Sequence, residues 1–282
     1  ARVTGLVGSE MCIRDRVLRD TKGNSKLLGI RDCSVQRDYQ KLIEESVFNI
    51  PKKTQQILFD HALKLINHID YVGAGTVEFI YDLKEKQVYF MEMNTRLQVE
   101  HPVTEMVSQV NLVQQQFEIA QGKNIAQLPV RFDGHAIEVR VNAERVEVQD
   151  NGSLNFVPEP GYVGEVHFPD ETHVRVISAV EEGSLVPPYY DSMIAQIICW
   201  GSSRKEACSR MLDYLGKVRL EGISTNLALS RMILSDAEFL KGRFDTGFLK
   251  GFLERIDFNE LKSRSEHDSG DSGKGLSQED LL

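Results

Sequence analysis

The segment Gln87 to Met93 is apolar and aromatic apart from one carboxylate, Glu92, and the upstream segment Gly75 to Tyr81 carries another, Glu78. Both segments read as strands, and the polar stretch Asp82 to Lys86 between them reads as a turn. A hairpin symmetric about residue 85 sets Tyr81 opposite Tyr89, Phe79 opposite Met91 and Glu78 opposite Glu92. Side chains alternate along a strand, so Asn94 shares the face of Glu92. Two carboxylates directly opposed on one sheet face repel unless a cation lies between them. This pattern therefore sets a strand pairing, a register and a charge problem together.

Glu78, Glu92 and Asn94 offer only hard oxygen ligands, which suit magnesium or manganese and not zinc. The plainer reading is a solvated sheet face with unrelated acids. Beyond the strand, Arg96, Gln98 and Glu100 follow in close succession. Near a metal-bound phosphate, Glu100 could act as a general base while Arg96 holds an anion. An arginine–glutamate surface pair is the alternative. On a further strand, Ala136 to Asn142, Ile137, Val139 and Val141 form an apolar face, with Glu138, Arg140 and Asn142 on the other. An arginine flanked in phase by an acid and an amide is an oriented arginine, unless that face is solvated.

At 282 residues and 41% hydrophobic, the chain can bury a core, as two units. A net charge of −9 argues against a nucleic-acid surface. Cys12, Cys33, Cys199 and Cys208 show no metal-ligand spacing and suit free thiols in a reducing, cytoplasmic compartment. No transmembrane run or signal peptide is recognisable. Helices are expected over Lys52–Ile69, Thr104–Ala120 with a break near Asn111, Ser203–Gly216, Asn226–Leu234 and Phe248–Phe252. Gly134–Trp200 is β-rich. The fold class is α+β, a sheet-bearing half-domain followed by a mixed domain. From Asn259 the chain turns to Ser, Gly, Asp and Glu, which predicts a disordered tail over 259–282.

Glu92–Met106, reading EMNTRLQVEHPVTEM, resembles the signature of biotin carboxylase, the ATP-grasp component of biotin-dependent carboxylases. Arg31–Arg37, Gly73–Phe79, Glu138–Glu144, Pro187–Met193 and Gly222–Asn226 resemble the same family in the same order. The resemblance covers about residues 17 to 256 and implies the C-terminal half of an ATP-grasp domain at 17–126, then the biotin carboxylase C-terminal domain at 127–258. Residues 1–16 show neither a period nor a family pattern. Val7–Arg16 resembles a translated sequencing-adapter peptide, so 1–16 is expected to be a non-native leader.

Residue by residue, the resemblance makes Glu78, Glu92 and Asn94 the ligands of magnesium or manganese, with Glu78 and Glu92 also on ATP. Gln36 and Lys41 match nucleotide-side residues. Lys41, Arg96, Gln98 and the Val99 backbone match groups that hold bicarbonate or the transferring phosphate. Glu100 matches the base that deprotonates bicarbonate, and Arg140 the arginine that stabilises the biotin enolate. The implied partners are ATP, bicarbonate, a biotin carrier domain and a carboxyltransferase, in a homodimer or larger complex. The implied location is the cytoplasm, or the mitochondrial matrix in a eukaryote. The chain departs from the family at Asp38 and Tyr39, where arginine and histidine are usual, and it has no glycine-rich phosphate loop. Two other classes stay open: another ATP-grasp ligase joining a carboxylate to an amine, and a non-catalytic assembly fragment.

Overall fold

The structure, a computed structural model, describes residues 9–37, 40–47, 49–148 and 154–269. It divides into two units: one runs through Glu138 and takes in 200–207 and 244–249, and the other comprises 139–199, 208–243 and the chain from 250 on. The sequence placed this division at residue 126. Residues 127–134 instead stay with the first unit, where Arg131 N and Asp133 N donate to the Ser108 and Val107 carbonyls.

In the first unit, β1 (Glu10–Arg19), β2 (Ser25–Arg37), β3 (Gln40–Ser46), β4 (Gly73–Asp82) and β5 (Val88–Asn94) run in the order β3-β2-β1-β4-β5, each pair antiparallel. Helix α1 (Lys52–His68) covers one face. Its Leu58, Ala62 and Ile66 recur every four residues, as a buried stripe requires, and pack with Ile13, Val17 and Val77. Each such side chain contributes about 1.5–3 kcal/mol when buried. On the other face Leu18, Leu28 and Ala74 pack with Leu112, Ile119 and Ile125. Further along this face, Arg14 stands opposite Glu78 and Arg16 opposite Thr76. Gly73, at the entry to β4, has φ +119, a conformation open only to glycine without strain.

The fold boundary expected at Val17 is corrected: β1 begins at Glu10 and pairs with β4 without interruption through Arg19. The segment hides its period because Asp15 stands at an α1-facing position, opposite Val77. Neither Asp15 oxygen has a hydrogen-bond partner, and burial pushes its pKa well above the usual carboxylate range.

The β4–β5 hairpin keeps Glu78 opposite Glu92, as expected, but the outer register is corrected. A bulge leaves Met91 as an extra residue, so Phe79 faces Phe90 and Tyr81 faces Val88. Phe79 and Phe90 meet edge to face, with centroids 6.3 Å apart.

The helix expected from Thr104 starts earlier, as α2 (His101–Ser108), and resumes as α3 (Leu112–Ala120). Gln109 at φ 58 ends the first piece, and the Asn111 side chain caps the second by accepting from Gln114 N at 2.8 Å. Strand β6 (His135–Asn142) carries the chain into the second unit.

There β7 (Glu144–Val148) pairs with β8 (Leu154–Pro158), where the sequence suggested a polar loop. Three short strands follow, β9 (Gly161–Tyr162), β10 (Val166–His167) and then β11 (Val174–Ser178). Next come β12 (Leu185–Val186), β13 (Met193–Gly201), α4 (Arg204–Leu215), β14 (Arg219–Leu220) and α5 (Leu227–Ser235). The chain continues through α6 (Ala237–Leu240), α7 (Phe248–Leu253) and α8 (Phe258–Ser269). β13 pairs antiparallel with β11. The expected tail is corrected for 259–269, which form α8: Leu261 is fully buried there and Arg231 pairs with Asp268. Residues 270–282 lie outside the described residues, as do Asp38 and Tyr39. All four cysteines are buried and free, and the Cys33 thiol donates to Glu44. No helix among the described residues is long and apolar enough to cross a membrane.

Candidate functional site

The opposed strands deliver three of the expected residues to one place. Asn94 Nδ2 donates to Glu78 Oε1 at 2.6 Å and to Glu92 Oε1 at 3.2 Å. Gln98 Nε2 donates to the same Glu78 oxygen at 3.0 Å. Glu78 is buried at 3% exposure, whereas Glu92 reaches solvent. Among the described residues no three His, Cys, Asp or Glu side chains converge as a metal cluster, so a cation here would rest on two carboxylates and an amide. That hard, partly open donor set fits magnesium, which retains several waters and takes one or two carboxylates.

Glu100 is also buried and stands at the N-cap of α2, just after the chain has left β5. It joins Glu78 through a residue that the sequence reading placed outside the fold. Arg14 Nη2 donates to Glu78 Oε2 at 2.7 Å and Arg14 Nη1 donates to Glu100 Oε1. Burial works against the Arg14 charge, but Cys33, Glu44, Glu100 and Glu78 together raise its pKa. Arg14 could have been found from phase: Cys12, Arg14, Arg16 and Leu18 alternate with Met11, Ile13 and Val17, and only Asp15 breaks the series.

Gln98 is the hub of the same network. Its Oε1 accepts from Arg31 Nη2 at 3.2 Å and from Arg16 Nη2 at 3.5 Å. Arg31 Nη1 donates to Thr104 Oγ1 at 2.7 Å, tying the network to α2. Burial, with the like charge of Arg31, lowers the Arg16 pKa to about 9.

The remaining expected residues are more dispersed. Gln36 and Lys41 face each other across β2 and β3, both half-buried. Arg96 is exposed and donates to the Leu97 carbonyl at 3.2 Å, so the structure does not bring it to Glu100. Val99 is exposed at 38%.

In the second unit, Arg140 is half-buried, while Asn142 is fully buried, which excludes a solvated face at that position. Asn226 clamps this part of β6: its Nδ2 donates to the Arg140 carbonyl at 3.0 Å, and its Oδ1 accepts from Asn142 N at 2.8 Å. Asn142 Nδ2 donates in turn to Ser192 Oγ at 3.0 Å. The backbone from which Arg140 projects is thus held by a residue of the Gly222–Asn226 motif, a role that sequence spacing does not reveal.

Comparison with known proteins agrees with both halves. Residues 138–251 match the biotin carboxylase C-terminal domain, and residues 11–128 match the ATP-binding domain of the carbamoyl-phosphate synthase L chain. Biotin carboxylase 1 of Bacillus subtilis is 45% identical over 240 residues, which cover 84% of this chain and 52% of that protein. The biotin carboxylase of Haemophilus influenzae is 43% identical over 240 residues, covering 83% and 51%. Among solved structures, the biotin carboxylase domain dimer of Hydrogenobacter thermophilus 2-oxoglutarate carboxylase, in complex with MgADP, ADP and bicarbonate, superposes with a TM-score of 0.82 at 36% identity. That match covers 90% of this chain and 55% of the other. The chain therefore spans about half the length of the curated relatives it matches. Two consecutive domain matches in family order, carried by identity above 40%, establish that the chain belongs to the biotin carboxylase family.

Proposed function

We propose that this chain supplies the base, the metal-side residues and the biotin-side arginine for ATP- and bicarbonate-dependent carboxylation of biotin on a carrier protein. The observation that carries the reading is the convergence of Glu78, Asn94, Gln98 and Glu100 on one partly buried network next to Glu92. Residues 17–126 then serve as the C-terminal half of an ATP-grasp domain and 127–258 as the biotin carboxylase C-terminal domain.

In this reading Glu78, Glu92 and Asn94 hold magnesium or manganese, which supplies charge neutralisation to the ATP phosphates. Glu100 takes the bicarbonate proton, and the freed oxygen attacks the γ-phosphorus of ATP with ADP as leaving group. The carboxyphosphate so formed breaks down to CO2 and phosphate, and biotin N1 takes up the CO2. Exposure of Arg96 suits a group that captures bicarbonate or the transferring phosphate from solvent. Gln36 and Lys41 serve the nucleotide side, and Gln98 with the Val99 backbone orients bicarbonate. Arg140 stabilises the enolate oxygen of biotin, and the Asn226 clamp fixes the strand that bears it. The carrier and the carboxyltransferase act as partners, and a homodimer is the expected core of the assembly, in the cytoplasm or the mitochondrial matrix.

The test joins this chain to a family N-terminal half and follows ADP release. Hydrolysis is expected to depend on bicarbonate, to rise with free biotin and to fall at least about a hundredfold in Glu100→Gln. Activity untouched by that substitution would remove the base assignment, and ADP release driven by an amine without bicarbonate would favour another ATP-grasp ligase.

A further inference from the structure

Glu78 is already paired with a cation. Its Oε2 accepts from Arg14 at 2.7 Å, while its Oε1 accepts from Asn94 at 2.6 Å and Gln98 at 3.0 Å. Arg14 also reaches Glu100, so one guanidinium spans both carboxylates, with Arg14 itself buried at 7% exposure. Strand register leaves little freedom in this arrangement. Arg14 stands directly opposite Glu78 across β1 and β4, inside a pairing that runs without a break from Glu10 to Arg19. A divalent cation bound by Glu78 would bring two further positive charges beside a fixed guanidinium, in a setting where burial weakens screening.

We infer that Arg14 is a built-in occupant of the cation site: it and a divalent metal compete for Glu78, and the same contact keeps Glu100 engaged. This inference deepens the proposed function and rests on its assignment of Glu78 and Glu92 to the metal. It goes further in stating that the chain, as it stands, holds its own site in a closed, metal-excluding state. Arg14 acts here on the ligands and not on the reacting atoms.

The experiment titrates the unaltered 282-residue chain and its variants with Mn2+ alone and reads free Mn2+ by electron paramagnetic resonance. Arg14→Gln is expected to bind Mn2+ at least tenfold more tightly than the unaltered chain. Arg14→Lys keeps the charge but cannot span both carboxylates, and is expected to fall between them. It also decides the matter if Arg14→Gln fails to fold, which its thermal transition would reveal. Glu92 does not touch Arg14, so Glu92→Gln placed in the Arg14→Gln background should abolish the gained binding. Equal Mn2+ affinity in all three Arg14 forms, lost with Glu92→Gln, would overturn the role of Arg14 and leave the metal assignment standing. Binding indifferent to Glu92→Gln would overturn the metal assignment and the inference with it. No binding by folded Arg14→Gln would overturn the inference alone.

Discussion

Two pairs of acids stand directly opposed across antiparallel strands of the first unit: Glu78 with Glu92 on β4 and β5, and Asp32 with Glu45 on β2 and β3. Their repulsion is relieved in different ways. Glu92 is left to solvent, and Glu78 is matched by Arg14. Asp32 and Glu45 are both buried, so solvent cannot help. Glu45 accepts from His135 Nε2 at 2.7 Å and from Arg204 Nε and Nη2 at 2.7 and 2.9 Å. Burial pushes the Glu45 pKa up, but His135 and Arg204 outweigh it, and the net shift is down. Asp32 has no such cation, and burial, assisted by the Glu45 charge, pushes it up to about 7. Opposed acids therefore announce that a neutralising charge is needed, without saying whether a metal, a side chain or a proton supplies it.

The comparison can be broken at its strongest member. Arg204→Ala leaves Glu45 buried with His135 alone and removes the Arg204 stack on Phe244, 5.6 Å from ring centroid to guanidinium. A loss of about 3–5 kcal/mol is expected in urea unfolding. Asp32 tests the proton. Its folded pKa of about 7 lies above its unfolded value, so folding retains a proton that the unfolded chain releases. Its contribution is complete below about pH 4 and is lost as pH rises toward 7, on the order of 3 kcal/mol. Asp32→Asn should flatten that slope, and a midpoint that still falls between these pH values would exclude Asp32 as its source.

Asp15 has neither remedy, since both oxygens lack partners in an apolar setting. Asp15→Val should raise stability by about 1–2 kcal/mol, as removal of a buried orphan does. The smallest effect belongs to Glu92→Ala, where solvent already screens the charge: thermal unfolding should move by less than about 0.5 kcal/mol.

The register of Glu78 against Glu92 was legible because strand alternation has period two and both carboxylates stand out against apolar neighbours. The bulge at Met91 was not, since an extra residue leaves no mark in an apolar run. Glu100 and Gln98 were legible through family motif, and their burial fits that reading. Arg14 escaped because one misplaced acid, Asp15, hid the alternation of β1. Arg96 shows the converse: its sequence proximity to Glu100 did not become proximity in space. Asn226, the clamp on the Arg140 strand, lies 86 residues from Arg140, a distance that no local pattern spans.

The bulge in β5 also bears on how this protein behaves at high concentration. β5 closes one end of its strand order and exposes Tyr89, Phe90 and Met91, a flat apolar border on which another molecule's strand could template. By forcing Met91 out of register and twisting the strand, the irregularity spoils the regular ladder that such templating needs. What costs the hairpin its symmetry thereby guards the molecule against edge-to-edge aggregation.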